Sequence, residues 1–291
     1  MKKLNKFLLF GATFLLVSSA LASCKNEETI NYGYDNYSNT SYAYSDMTLL
    51  GRMGLNEDVI ILDNYNDSPV TAINSYTFFE CENLMTVRLP NTLKVIGSNA
   101  FYGCISLQSI TLNEGLEVID TQAFMYSGID YVYIPSSVSR IGLGAYAGCN
   151  VKTFEISKDN LVFDSSSDIN GIVNKQTGEL ICASASTKIP STVTSIQTYA
   201  YYDVKELEKI EIPSTVKRIE SNAFYYCESL KEVYLDKSLE YIGINAFEKS
   251  AVTDIYFTGT EREFRAISSN LVGSEQEITV HASDKDFVIW K

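Results

Sequence analysis

The sequence predicts a β-rich repeat solenoid of ~23-residue coils, with one hairpin island and a cap at each end. Three columns of residues predict it. Isoleucines recur at Ile73, Ile96, Ile119, Ile141, Ile196, Ile219 and Ile242, spaced by 23, 23, 22, 55, 23 and 23 residues. Five residues after each comes an aromatic: Phe78, Phe101, Phe124, Tyr146, Tyr201, Phe224 and Phe247. Alanine precedes every one of these except Phe78, which follows Thr77. The third column, Leu84, Leu107, Ile129, Val151, Leu207, Leu230 and Val252, opens runs of alternating apolar and polar residues. One coil cannot bury its own apolar set, but stacked coils place like on like. At ~4.8 Å per strand, seven coils make a slab on the order of 35 Å long.

Residues 1–23 read as a signal peptide. Lys2, Lys3 and Lys6 precede an apolar run from Phe7 to Val17, too short for a spanning helix of ~20 residues. Leu21-Ala22-Ser23-Cys24 resembles the lipobox of bacterial lipoproteins, which implies cleavage before Cys24 and diacylation of its thiol. Lys25-Asn26-Glu27-Glu28 resembles surface-export signals of Bacteroidota lipoproteins, so an outer-membrane lipoprotein facing the cell exterior is expected. Cleavage removes three lysines and takes the formal charge from −13 to −16. Residues 24–46 then form an anchor and flexible spacer, polar and dotted with tyrosines such as Tyr32, Tyr34, Tyr37, Tyr42 and Tyr44. Residues 47–72 are the N-terminal cap.

The repeats occupy residues 73–264. Val87-Arg88-Leu89, Val132-Tyr133-Ile134, Ile210-Glu211-Ile212 and Ile255-Tyr256-Phe257 alternate as strands with one buried face. Pro90, Pro135, Pro190 and Pro213 follow such runs, where a ladder N–H is no longer required. No segment sustains a 3.6-residue period, so little helix is expected. The 55-residue gap holds an island at about 157–188, in which Gly171-Ile172-Val173 and Leu180-Ile181 flank a Thr177-Gly178 turn and predict a hairpin. Residues 265–291 form the C-terminal cap, with a last strand at Glu277 to His281.

The motif Leu-x-x-Ile-x-Leu-Pro-x-x-Leu-x-x-Ile-x-x-x-Ala-Phe-x-x-Cys, whose halves are shown by Leu207 to Ile219 and Ile219 to Leu230, resembles the BspA-type leucine-rich repeat. The resemblance covers about residues 55 to 290. It implies a leucine-rich-repeat fold whose outward strand face binds a macromolecule, in the manner of surface adhesins.

Composition narrows the chemistry. Acidic residues outnumber basic ones 36 to 23, a field that repels phosphate backbones, so nucleic acid is not an expected partner. A single histidine, His281, excludes multi-histidine metal sites. It has no partner evident in the sequence, and a structural role is expected. Cys81, Cys104, Cys149 and Cys227 each lie three residues after a column aromatic, where other coils carry Ser127, Val204 and Ser250. A site that accepts Cys, Ser or Val is a small buried niche, so reduced core thiols are expected there and at Cys182. Asp164 to Gly171 carries oxygens at alternate positions but lacks a calcium loop's glycine and closing glutamate, and reads as a solvated turn. No nucleophile elbow, phosphate loop or His-Glu-x-x-His motif occurs, and neither catalytic residues, cofactor nor metal is expected.

What remains is the outward strand face. Its candidate ligand-binding residues are Arg88, Tyr131, Tyr133, Glu155, Lys209, Glu211, Glu232, Tyr234, Asp254 and Tyr256. Tyrosine pairs among carboxylates suit protein hot spots and equally sugar stacking. The expected function is that of a monomeric, non-enzymatic, lipid-anchored surface protein whose solenoid binds a macromolecular ligand of host or bacterial origin, adhesin-like as the resemblance implies. A glycan ligand, or a periplasmic scaffold without external ligand, are the alternatives, and the only membrane contact expected is the lipid.

Overall fold

The computed structural model describes residues 42–43, 58–65, 68–164, 166–269, 271 and 277–289. The signal peptide, Cys24 and most of the spacer lie outside these residues. The chain forms a β-solenoid of about nine turns. Every residue of the three sequence columns is buried.

Each coil contributes two strand segments. The isoleucine-side strands are two residues long and stack in parallel, Ile73 on Ile96 on Ile119 on Ile141, and Ile196 on Ile219 on Ile242. Tyr42–Ala43 pairs in parallel with Ala72–Ile73 at the start of this sheet, so the expected spacer does not stay free of the solenoid to its end. The outward-face strands are longer and are split into Asp58–Ile60 with Thr86–Arg88, Tyr131–Ile134 with Thr153–Ile156, and a five-stranded sheet begun by Lys209–Glu211. The alternating run at Ser109–Thr111 forms no strand, and its Ile110 is only half-buried, so the outward face is not the continuous ladder that the repeat predicts.

Corners are set by the backbone. The third and seventh residues after each column isoleucine take positive φ, for example Tyr76 and Glu80, Gln122 and Tyr126, Tyr199 and Asp203, Asn222 and Tyr226. Most are not glycine, and each such residue costs on the order of 1 kcal/mol. The corner persists because its amides and carbonyls bond coil to coil: Phe78 N to Ala100 O at 2.7 Å, Phe101 N to Ala123 O at 2.7 Å, and Phe224 N to Ala246 O at 2.7 Å. Between corners the column aromatics stack, with centroids 4.9 Å apart for Phe78–Phe101 and 5.2 Å for Phe101–Phe124.

The thiols fill the expected niche and also serve as donors. Cys104, Cys149 and Cys227 point their S–H groups at the carbonyls of Phe78, Phe124 and Tyr201, the column aromatics one coil earlier, at 2.9–3.0 Å. Burial pushes the Cys149 thiol up to about 11 and Cys227 up to about 12, so neither supplies thiolate at neutral pH.

The island is a two-sided wall. Gly171–Asn174 and Glu179–Ala183 form an antiparallel hairpin whose second strand runs parallel to Ser195–Ile196 and sets Leu180 beside Ile196, as a column isoleucine would stand. Ile172, Ile181 and Cys182 pack into the N-terminal core, whereas Val173, Leu180 and Ala183 pack into the C-terminal one. Both faces are therefore buried, which is why its strands read as unbroken apolar runs. Asn160 ties it down: its carboxamide donates to Pro135 O and Val138 O and accepts from the Val162 and Phe163 amides.

The aromatic column changes from phenylalanine to tyrosine in the two coils that flank this wall. Among the described residues, the hydroxyls of Tyr146 and Tyr201 are buried there with no hydrogen-bond partner. An unsatisfied buried hydroxyl is destabilising, so Tyr146→Phe and Tyr201→Phe are each expected to raise stability by about 1 kcal/mol in urea denaturation. A loss of stability in both would show that the hydroxyls are paired in solution.

The C-terminal cap departs from the sequence reading in two ways. Helix Glu261–Ile267 opens on a capping box in which Thr260 Oγ1 accepts from Glu263 N while the Glu263 carboxylate accepts from Thr260 N. That signature, Thr-x-x-Glu ahead of buried Phe264, was present in the sequence without any longer helical period to support it. The strand Ile278–His281 is not the last, since Asp286–Ile289 pairs with it antiparallel.

Candidate functional site

The solenoid register sorts the candidate residues into groups. On the C-terminal sheet Lys209, Glu232 and Asp254 follow one another in one row, while Glu211, Tyr234, Tyr256 and His281 form the adjacent row. Tyr131 and Tyr133 stand beside Thr153 and Glu155 on the two-stranded sheet. Arg88 is exposed beside Ile60 and joins neither group.

The C-terminal row is an aromatic stack. Tyr234 and Tyr256 lie 4.6 Å apart at 10°, and Tyr256 and His281 lie 4.7 Å apart at 15°. Parallel strands at their natural spacing hold flat rings face to face, so the geometry follows from register alone. Both faces of Tyr256 are covered, and the stack shows its hydroxyl-bearing edges. Tyr234 Oη donates to Glu232 Oε2 at 2.8 Å, a bond that pushes the phenol up to about 12 and keeps it a donor. The row lines a concavity of about 530 Å³ that also includes Glu211, Asp236 and Thr258.

His281, for which the sequence shows no partner, has three. Its ring stacks on Tyr256, its Nε2 lies 2.9 Å from Asp254 Oδ1 and its Nδ1 lies 3.2 Å from Asp286 Oδ1. Only an imidazolium donates from both nitrogens, and the hydrogen bond to Asp254, followed by that to Asp286, raises the His281 pKa. The same bond, with a second from Thr253, holds Asp254 below the usual carboxylate range. A raised histidine stabilises the fold below its unfolded pKa of about 6.5, and this is lost as pH rises through the folded value. A lowered Asp254 stabilises above about 4, and that is lost as pH falls through its folded value. Hydrogen exchange in residues 278–289 is therefore expected to be slowest between about pH 4 and 6.5 once corrected for intrinsic rates, and His281→Gln should flatten its alkaline limb. An imidazole titration by NMR at or below the ordinary histidine value would contradict the clamp. Sequence spacing could not foresee it, because Asp254 lies one coil away and Asp286 across a turn.

The N-terminal group differs. Tyr131 Oη donates to Glu155 Oε2 at 2.6 Å. Among the described residues no ring lies against Tyr131 or Tyr133, and Tyr131 is 42% exposed.

A third aromatic grouping, not singled out from the sequence, lies on the corner side. Tyr102, Tyr126, Tyr202, Tyr225 and Tyr226 pack around Met125 and Ala147, and the Tyr126 and Tyr202 hydroxyls hydrogen-bond each other across the island. The visible signal was a second aromatic following Phe101, Tyr201 and Phe224.

Within the Asp164–Gly171 turn the Asp164 carboxylate accepts from the Ser166 amide and hydroxyl. Asn170 accepts from Phe154 N and donates to Ser184 and Ser186. These oxygens and amides anchor the island. Among the described residues no group of three or more His, Cys, Asp or Glu is placed to hold a metal ion, and no helix is long and apolar enough to cross a membrane.

A family model described as BspA type leucine rich repeat region matches six copies, over residues 65–168 and 181–276. The chain belongs to the BspA-type leucine-rich repeat family. The interval between the matches holds the first strand of the island hairpin, so the wall is where this BspA-type chain leaves its repeat. No curated protein matches it in sequence. Solved structures share the BspA-type fold: a leucine-rich repeat protein from Eubacterium ventriosum aligns at 24% identity and TM-score 0.56, over 69% of this chain and 60% of that one. The chain thus spans less than two thirds of that protein's length. The pneumococcal vaccine antigen PcpA aligns at 17% identity and TM-score 0.59, over 83% of this chain and 69% of that one. A leucine rich cell surface protein from Faecalibacterium prausnitzii aligns at 16% identity and TM-score 0.50, over 91% of this chain and 96% of that one.

Proposed function

We infer that this BspA-type protein is a non-enzymatic, lipid-anchored cell-surface protein that binds a protein partner through the outward face of its C-terminal coils, in the manner of an adhesin. The observation that carries the reading is the Tyr234–Tyr256–His281 stack, set in a concavity bordered by Glu211 and Asp236. Stacked rings are rigid contact area that loses little entropy on binding, and tyrosine is enriched in hot spots. Glycan stacking on Tyr256 is disfavoured, since sugars need an open ring face and Tyr256 has none. The carboxylates call for a partner segment bearing lysine or arginine, and the charge of −16 after cleavage attracts such a segment at long range. A surface location agrees with the likeness to the leucine rich cell surface protein of Faecalibacterium prausnitzii, and the lipobox-like Leu21-Ala22-Ser23-Cys24 supports the anchor.

The test is a crosslinking pull-down from host-matrix protein extracts with the mature chain, followed by binding of the recovered protein to variants. Tyr256→Ala is expected to weaken it roughly 30-fold, the effect of a central hot-spot residue, with binding also falling at higher salt. Protease shaving of intact cells should remove the wild type, and Cys24→Ser should release it from the envelope. A protein protected from shaving would favour the periplasmic-scaffold reading instead, and capture that is indifferent to Tyr256 would move the site elsewhere.

A further inference from the structure

A second concavity, of about 830 Å³, lies where the outward face of the Tyr131–Ile134 and Thr153–Ile156 strands meets the island. Its volume falls within the range of about 300–1,000 Å³ typical of small-molecule sites. Three features of its lining point to one ligand chemistry.

The first is Tyr133, placed beside Glu155 by the strand register and lying in the concavity wall with no ring stacked on it among the described residues. Its situation is the reverse of that of Tyr256: here a ring face is left for a ligand. The second is a pair of carboxylates held in place by neighbours. Glu155 Oε2 accepts from Tyr131 Oη at 2.6 Å, and Glu114 Oε2 accepts from Ser136 Oγ at 2.8 Å. A carboxylate has about four acceptor sites, so each of these keeps acceptors for hydroxyl donors from outside. The third is the balance of the remaining wall, where Ser157, Ser166 and Ser167 supply hydroxyls, Asp159 a third carboxylate and Lys158 the single cation.

An apolar ligand would strand these polar groups, and an anionic one would meet three carboxylates against one lysine. A ligand rich in hydroxyls with a C–H-bearing face satisfies all three features: its hydroxyls donate to anchored carboxylates while the face lies on tyrosine. We propose that the groove between the outward strands and the island binds a neutral oligosaccharide. This site is separate from the protein-binding row and shares no residue with it.

The test uses the full mature chain against an array of neutral mannan, glucan and galactan fragments alongside sialylated and uronic oligosaccharides, followed by saturation-transfer NMR with the best-bound fragment. Binding to neutral fragments is expected, with Tyr133→Ala and Glu155→Gln each lowering affinity at least tenfold and Tyr256→Ala leaving it unchanged. Asp159→Asn, an isosteric change, should also weaken binding and guards against misreading a fold defect in Tyr133→Ala. Absence of neutral binding, preference for acidic fragments, or loss of binding in Tyr256→Ala with none in Glu155→Gln would each overturn the proposal.

Discussion

Phe224→Ala is expected to cost about 3–5 kcal/mol of folding stability, the range for removing a fully enclosed aromatic ring. Phe224 has no solvent exposure and lies between Tyr201 and Phe247, with centroids at 4.8 and 5.2 Å. In a solenoid each coil rests on its neighbours, so the gap removes contacts on both sides of one coil. The hairpin wall limits the spread. Hydrogen-exchange protection across residues 210–257 should fall, while that of residues 73–141, in the other core, should be kept. Urea denaturation gives the size, and an alanine variant within about 1 kcal/mol of wild type would mean that the stack collapses around the missing ring.

Asn160→Ala is the second large effect. Its side chain is almost fully buried and makes four hydrogen bonds, at 2.8, 2.9, 2.9 and 2.8 Å, all to main-chain groups. Deleting it leaves buried backbone donors and acceptors to pair poorly, at a combined cost of about 3 kcal/mol. Asn160→Asp keeps the acceptor but turns a buried carboxylate oxygen toward two carbonyls, and is expected to cost at least as much as Asn160→Ala. The amides of residues 162–163 and 171–183 should report the damage first, and unchanged exchange there would show that water replaces the carboxamide at little cost.

Most of the fold could be read from the chain because burial repeats. Ile96, Phe101 and Leu107 recur at a constant offset, and that offset alone requires stacked coils. The hairpin was legible too, from Thr177-Gly178 between apolar runs. Its two-sided packing was not, because a short apolar run is compatible with several buried settings. The site was half legible. Alternation placed Glu232, Tyr234, Asp254 and Tyr256 outward, but which rings would lose their faces depended on register between coils. The same register gave His281 its partners, and the groove beside Tyr133 arises only where an insertion folds back on the strands.

The hydrogen bond between Tyr126 and Tyr202 joins residues 76 apart, whereas contacts between adjacent coils span about 23. Closing the longer loop costs about 1 kcal/mol more chain entropy than closing one coil. Growth from neighbour to neighbour within each half is therefore the quicker route, and the two halves meet late. Tyr126 and Tyr202 thus belong to the last event of folding, and loosening them should hasten unfolding far more than it slows folding.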